Sequence, residues 1–223
     1  FIDKTPADII RDLNFEDVDA VFFDANGDGF QDLYVVNGGG EYPEGNSLLE
    51  DRLYINDGTG NLERSKSLLP PLKSNGACVR PFDFNKDGAV DLFVGNRSVP
   101  GNYGRSPLSH FLLNDGQGNF KVHQALEMGM VTDAEWFDIN EDGVFEILAV
   151  GDWMPISVYK NLNGKFVRDS SFASFENAHG WWRSLQIADV NGDGKKDVLA
   201  GNIGSNLRLK ASIDNPVRLY LND

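Results

Sequence analysis

Soft metal ligands and redox-active side chains are scarce in this 223-residue chain, which holds one cysteine, three histidines and three methionines. The single Cys78 excludes an internal disulfide, and a secreted chain without one suits a bacterial surface better than an animal secretory route. Its place beside Val79, just ahead of an acidic loop, suits a buried structural thiol. No apolar run approaches the ~18 residues of a membrane-spanning helix, so no such helix is expected and any anchor would lie elsewhere. Basic residues are few as well: 20 Lys and Arg stand against 34 Asp and Glu, a formal charge of −14. With no basic run to neutralise phosphates, nucleic acid is excluded as a partner. Nucleophile elbows, P-loops and H-E-x-x-H zinc motifs are also missing. His110, His123 and His179 read as surface or strand residues rather than catalytic ones.

What the chain does have is a nine-position pattern, D-x-N-x-D-G-x-x-[DE], written four times at 24–32, 83–91, 138–146 and 189–197. Oxygen-bearing side chains at positions 1, 3, 5 and 9 are what a hard cation such as Ca²⁺ takes from one short loop. They are Asp24, Asn26, Asp28 and Asp32; Asp83, Asn85, Asp87 and Asp91; Asp138, Asn140, Asp142 and Glu146; and Asp189, Asn191, Asp193 and Asp197. Glycine at position 6 permits the sharp reversal after position 5. An EF-hand would need a bidentate Glu at position 12 and helical flanks. Here position 12 is Val35, Val94, Ala149 and Ala200, and the flanks are aromatic and β-branched, as strands prefer. One copy alone could be an ordinary Asn/Asp-rich turn. Four copies with no acid missing at positions 1, 5 or 9 are not explained by turn chemistry.

The first aspartates are separated by 59, 55 and 51 residues, a period at which repeats mean propellers or solenoids. Between the loops recurs an apolar strand followed by Asn-Asp-Gly, at 53–62 and 111–120 and in weaker form at 158–166 and 219–223, which marks a hairpin. Each unit therefore reads as four strands, and the first unit predicts them near Ala20–Asp24, Asp32–Asn37, Arg52–Asn56 and Asn61–Ser65. The expected fold is an all-β β-propeller of four-stranded antiparallel blades, with little helix and one domain over 1–223. Blade units fall near 15–70, 75–127, 130–172 and 180–223. Residues 1–10 could close the fourth blade as an outer strand, with Phe1–Thr5 pairing to Arg218–Leu221. The preferred alternative is that the chain is a segment of a larger propeller.

In these residues the chain resembles the FG-GAP or VCBS repeats of integrin α-subunit propellers and bacterial surface proteins. The segments Val94–Gly104, Gly151–Pro155 and Gly180–Leu185 resemble more specifically the bacterial ASPIC-type proteins, akin to cartilage acidic protein. The resemblance implies up to four structural Ca²⁺, with the main-chain carbonyls of Phe30, Ala89, Val144 and Lys195 supplying a further oxygen at position 7. Glu146, one methylene longer than its counterparts, marks the third site as the one expected to bind weakly. Each ion would cancel two of the negative charges. Sites of extracellular affinity would stay empty at cytosolic calcium, so the chain is expected outside the cytoplasm: extracellular, on a cell surface or periplasmic.

A cluster of aromatics stands apart from the loops. Trp153, Trp181 and Trp182 are expected to fill gaps between sheets. A second reading makes Trp153, His179, Trp181, Trp182 and Arg183 a ligand surface, with Arg97, Arg105 and Arg183 meeting an anionic group and the loops 38–51, 96–109 and 201–216 as its rim. Function then divides three ways. The preferred reading is a non-catalytic adhesion or ligand-binding module for a protein or glycan. The others are a carbohydrate-active enzyme of polysaccharide-lyase type and a structural spacer.

Overall fold

Most of the buried apolar side chains of this chain lie on its strands. The computed structural model describes residues 5–204, and it is all-β. The first sheet runs β1 (Asp17–Phe23), β2 (Asp32–Asn37), β3 (Arg52–Asn56) and β4 (Leu62–Arg64), antiparallel and in chain order. The second repeats this with β5 (Asn75–Phe82), β6 (Asp91–Ser98), β7 (Leu108–Asn114) and β8 (Phe120–Glu127). A third is built of β9 (Met130–Phe137), β10 (Glu146–Pro155), β11 (Ser157–Leu162) and β12 (Lys165–Arg168). A fourth unit begins with β13 (His179–Ala188) and β14 (Asp197–Asn202), and pairing of β13 with β10 joins it to the third, so that β9–β14 form one six-stranded sheet. The fourth unit's expected remaining strands, the rim loop beyond residue 204 and the pairing to Arg218–Leu221 lie outside the described residues.

Each acidic loop joins the first two strands of its sheet, as expected. The second strand is the most buried: all six residues of β2 are enclosed, because it has strands on both edges and neighbouring elements on its faces. Of the four strands predicted for the first unit, two match residue for residue and two shift by one to three positions. Residues 7–10 do not form the suggested closing strand. Pro6 stands at the N-cap of α1 (Ala7–Arg11), and Asp8 pairs with Arg11 one turn on, a local term that favours helix. A second short helix, α2 (Ala173–Glu176), follows the third sheet.

Successive sheets meet first strand to first strand, β1 against β5, β5 against β9 and β9 against β13. One apolar layer fills each junction. Phe23, Tyr34, Val36 and Leu53 meet Val79, Leu92 and Val94 between the first and second sheets. Phe93 and Phe111 meet Val131, Ile147 and Phe166 between the second and third, where the Phe111 and Phe166 rings stack at 3.9 Å. Leu148, Val150 and Val158 meet Leu185 between the third and fourth.

Polar ties register the first strands. Asp19 accepts the Val79 N–H at 3.0 Å and Asp133 accepts the Leu185 N–H at 2.7 Å, so each carboxylate grips the next sheet's backbone. At the corresponding place in β5 stands Cys78, buried as expected, with its thiol pushed up to about 12 by desolvation. There Arg80 takes over. It donates to Asp19 at 2.8 Å, to the Ala134 carbonyl at 2.6 Å and to Asp133, joining three first strands through one side chain. No helix among the described residues is long and apolar enough to cross a membrane.

Candidate functional site

The four acidic loops fold alike, and hydrogen bonds explain why. In the first, the Asp24 carboxylate accepts from Gly29 N at 2.8 Å, Asn26 Oδ1 accepts from Asp28 N at 3.1 Å, and Asp28 Oδ1 accepts from Phe30 N at 2.8 Å. The same three bonds recur with Asp83, Asn85 and Asp87, with Asp138, Asn140 and Asp142, and with Asp189, Asn191 and Asp193. Gly29, Gly88, Gly143 and Gly194 take φ of 82° to 93°, the left-handed region expected at position 6.

Position 9 is different in kind. Asp32 receives Ala25 N at 2.9 Å on one oxygen and Asn56 N at 2.8 Å on the other, closing the loop onto β3. Asp91 does the same with Phe84 N at 3.3 Å and Asn114 N at 2.9 Å. Glu146, with its longer reach, binds Ile139 N at 3.1 Å, and Asp197 binds Val190 N at 2.9 Å. Asp32, Asp91 and Glu146 are buried, and none has an ion-pair partner among the described residues. Desolvation raises all three carboxyls, with the neighbouring loop aspartates adding to the effect, and Asp91 reaches about 6.

The donor set is all hard oxygen and so fits a calcium ion chemically. The side chains as placed do not converge: among the described residues no three His, Cys, Asp or Glu gather closely enough to hold a metal. Their oxygens face loop N–H groups instead. A repeated tie escaped the sequence reading. Asn114 Nδ2 donates to the Ala25 carbonyl at 2.8 Å and Asn161 Nδ2 to the Phe84 carbonyl at 3.3 Å, so each hairpin asparagine grips the acidic loop of the preceding sheet.

The aromatic cluster lies toward the other end of the first strands. A cavity of about 470 Å³ is bounded by the start of β1, the loop after β2, the start of β5, the end of β6, β9 and β13. Arg97, Arg183 and Tyr103 line it, with Glu16 and Glu41 elsewhere on its wall. Behind the arginines sits Asp152, whose side chain has no exposure and accepts from Arg97 Nε at 2.9 Å and Tyr103 OH at 2.9 Å. Burial and that bond to Asp152 push the Tyr103 phenol up. Arg183 stands 3.6 Å from the second oxygen of Asp152. Trp153 stands beside this lining, 5.4 Å from the Tyr103 ring and 5.7 Å from Trp181. The end of β10 creates this junction by pairing Asp152 with Trp181 and Pro155 with His179 across to β13.

The expected members of this surface separate. Trp182 is an inter-sheet wedge, its indole N–H shared between the Met154 and Ala178 carbonyls at 3.2 Å. Trp153 is exposed and Trp181 half-buried. His179 and Arg183 stand four residues apart on one strand, about 13 Å at 3.3 Å per residue. Arg105 lines a different cavity, with His110 and Lys73. Of the expected rim, the loops after β2 and β6 contribute. Trp136, which no motif singled out, packs between Phe82 and Phe166.

The FG-GAP-like repeat matches this sequence over residues 11–94 and 138–200, stretches that contain all four acidic loops. The chain belongs to the FG-GAP-like repeat family. Within this FG-GAP-like chain, Asp152, Trp153, Trp181 and Arg183 lie inside the matched stretches, whereas Arg97 and Tyr103 lie between them. Among solved structures it is similar to the biofilm matrix protein Bap1 of V. cholerae, at 22% identity and a TM-score of 0.46. That similarity covers 83% of this chain and 28% of Bap1, so the chain spans less than a third of that protein's length. No curated protein matches it.

Proposed function

We propose that this chain is a non-catalytic, calcium-braced β-propeller module of an extracellular or cell-surface protein, bacterial in type, that serves adhesion or ligand binding. Membership in the FG-GAP-like repeat family supports it, and the succession of β1–β4, β5–β8 and the six-stranded β9–β14, with first strand against first strand, is compatible with propeller blades. One observation carries the calcium reading: buried closing carboxylates at Asp32, Asp91 and Glu146 have aspartates for neighbours and no cationic side chain paired to them among the described residues. A buried charge without a countercharge is costly, and a divalent ion supplies one. Each loop would bind through the side chains at positions 1, 3, 5 and 9 and the carbonyl at position 7, exchanging internal hydrogen bonds for the ion.

The test is a thermal melt of metal-loaded protein in calcium and in excess chelator. With Kd of ~10⁻⁴ M and ~1 mM calcium, each site contributes roughly 1.4 kcal/mol. Four such sites should separate the two melting temperatures by on the order of 10 °C. Coincident melts, with no calcium retained on dialysis, would sink the proposal. A second reading has one observation in its favour. Glu16 shares the cavity lining with Arg97 and Arg183, and its carboxyl is raised by a hydrogen bond to Glu41, then by burial and by the charge of Glu41. Turnover of an acidic polysaccharide would favour that enzymatic reading.

A further inference from the structure

We propose that the cavity walled by Arg97, Arg183 and Tyr103 binds the carboxylate of an acidic sugar residue, with Trp153 and Trp181 stacking on the adjoining pyranose face. The proposal rests on the binding-module reading and adds to it a place and a ligand class. The volume, about 470 Å³, lies within the range of ligand sites.

Asp152 makes the arginines a prepared clamp. It is fully enclosed and holds Arg97 through Nε at 2.9 Å, which leaves the outer edge of that guanidinium off the carboxylate. Arg183 lies 3.6 Å from Asp152 Oδ1, an oxygen with no hydrogen-bond partner, and its guanidinium donates no hydrogen bond among the described residues. Two guanidinium charges thus face one carboxylate, and a second carboxylate from a ligand would balance them in the forked geometry that Arg prefers.

The aromatic wall is held out at a cost. Trp153 has φ of +58° and the β10–β13 register shifts between Asp152 and Met154, so a bulge turns the indole to solvent. A bulky residue in that region is strained, and such strain persists where the surroundings enforce it. At the neighbouring Gly151 the strand lies so close to β9 that a Cβ would meet the Met130 carbonyl at 1.9 Å. The indole N–H of Trp181 is buried and has no partner among the described residues. Glu16 and Glu41 oppose a bare anion but can accept hydroxyl donors. A sugar ring that carries both a carboxylate and hydroxyls meets both kinds of lining group, and a bare sulfate does not. With a net charge of −14 the protein repels polyanions in general, so binding of one must be local.

The test is calorimetric titration of the calcium-loaded protein with tetragalacturonate and, as the neutral counterpart, maltotetraose, at low and high salt. Tetragalacturonate should bind, weaken as salt rises and exceed maltotetraose by about tenfold or more. Arg183→Gln should weaken it by about tenfold, and the paired exchange Arg97→Gln with Asp152→Asn, which keeps a neutral buried contact, should do the same. Trp153→Gly relieves the backbone strain, so it should lose affinity while melting at the same or a higher temperature. Equal affinity for the neutral sugar, or affinity untouched by Arg183→Gln, overturns the proposal. No binding of either sugar by protein that still melts in a calcium-dependent way overturns the ligand class and leaves the module standing. Release of unsaturated product from tetragalacturonate would support the ligand class and overturn the non-catalytic reading.

Discussion

Asp152 and Asp51 are both drawn in from solvent, the first fully and the second in part, and they differ in their partners. Asp152 has two arginines, whereas Asp51 has a phenol and an amide, Tyr34 OH at 2.7 Å and Asn37 N at 2.8 Å. Desolvation outweighs those bonds and the more distant Arg52, so the Asp51 carboxyl is raised to about 6. The folded state therefore holds this proton between about pH 4 and 6, where the unfolded chain has released it. More protons bound when folded means stability falls as pH rises through that window. In chelator, the urea midpoint should drop between pH 4.5 and 7.5, and Asp51→Asn should shrink the drop by no more than about 3 kcal/mol of stability. Asparagine can still accept from Asn37 N and meet the Tyr34 hydroxyl. An unchanged pH slope in the variant would show that the Asp51 proton is not held by the fold.

The loops share a backbone that their sequences do not equally suit, and this asymmetry is open to measurement. At position 4 the first and fourth loops place Gly27 and Gly192 at φ of 76° and 77°, but the second and third place Lys86 and Glu141 at 62° and 59°. Lys86 has a compensation, since its ammonium donates to the Gly143 carbonyl of the next loop at 3.3 Å. Glu141 has no hydrogen bond or ion pair described. Glu141→Gly should therefore stabilise by about 0.5–1 kcal/mol after the added chain entropy of glycine, and raise the melting temperature by a few degrees. Lys86→Gly should gain less or nothing, because it also removes the inter-loop bond. The loops and their flanking strands were legible because acids, Asn and Gly act within nine residues. The grip of Asn114 on Ala25 was not, for its partner lies 89 positions away and the asparagine is equally at home in its own hairpin. The bridge from Arg80 to Asp19 and Asp133 was hidden for the same reason. Trp182 and Trp153 carry the same side chain, and it is the bulge of β10 at Trp153, with its positive φ, that turns that indole out while Trp182 packs between sheets.

Across the described residues, each unit meets the next through one apolar layer and a few polar ties, with β10–β13 pairing added at the last junction, so stability is distributed as in repeat proteins, where coupling passes from unit to unit. The layer between the second and third sheets is the most aromatic. Phe166 stacks on Phe111 at 3.9 Å and 5°, with Phe84 edge-on at 5.3 Å and Trp136 at 5.7 Å. Truncating it in Phe166→Ala removes contacts on several sides and leaves a hole that rigid rings cannot refill, at a cost of about 3–5 kcal/mol. Because the layer between the first and second sheets contains none of these rings, the loss should be local. Amide exchange in β10 and β11 should accelerate strongly while β2 and β3 retain most of their protection. A Leu53→Ala exchange, in the other layer, should reverse that order. If Phe166→Ala instead speeds exchange equally from β2 to β14, the sheets unfold as one cooperative body. The ties through Arg80 and the hairpin asparagines would then carry more of the coupling than the apolar layers do.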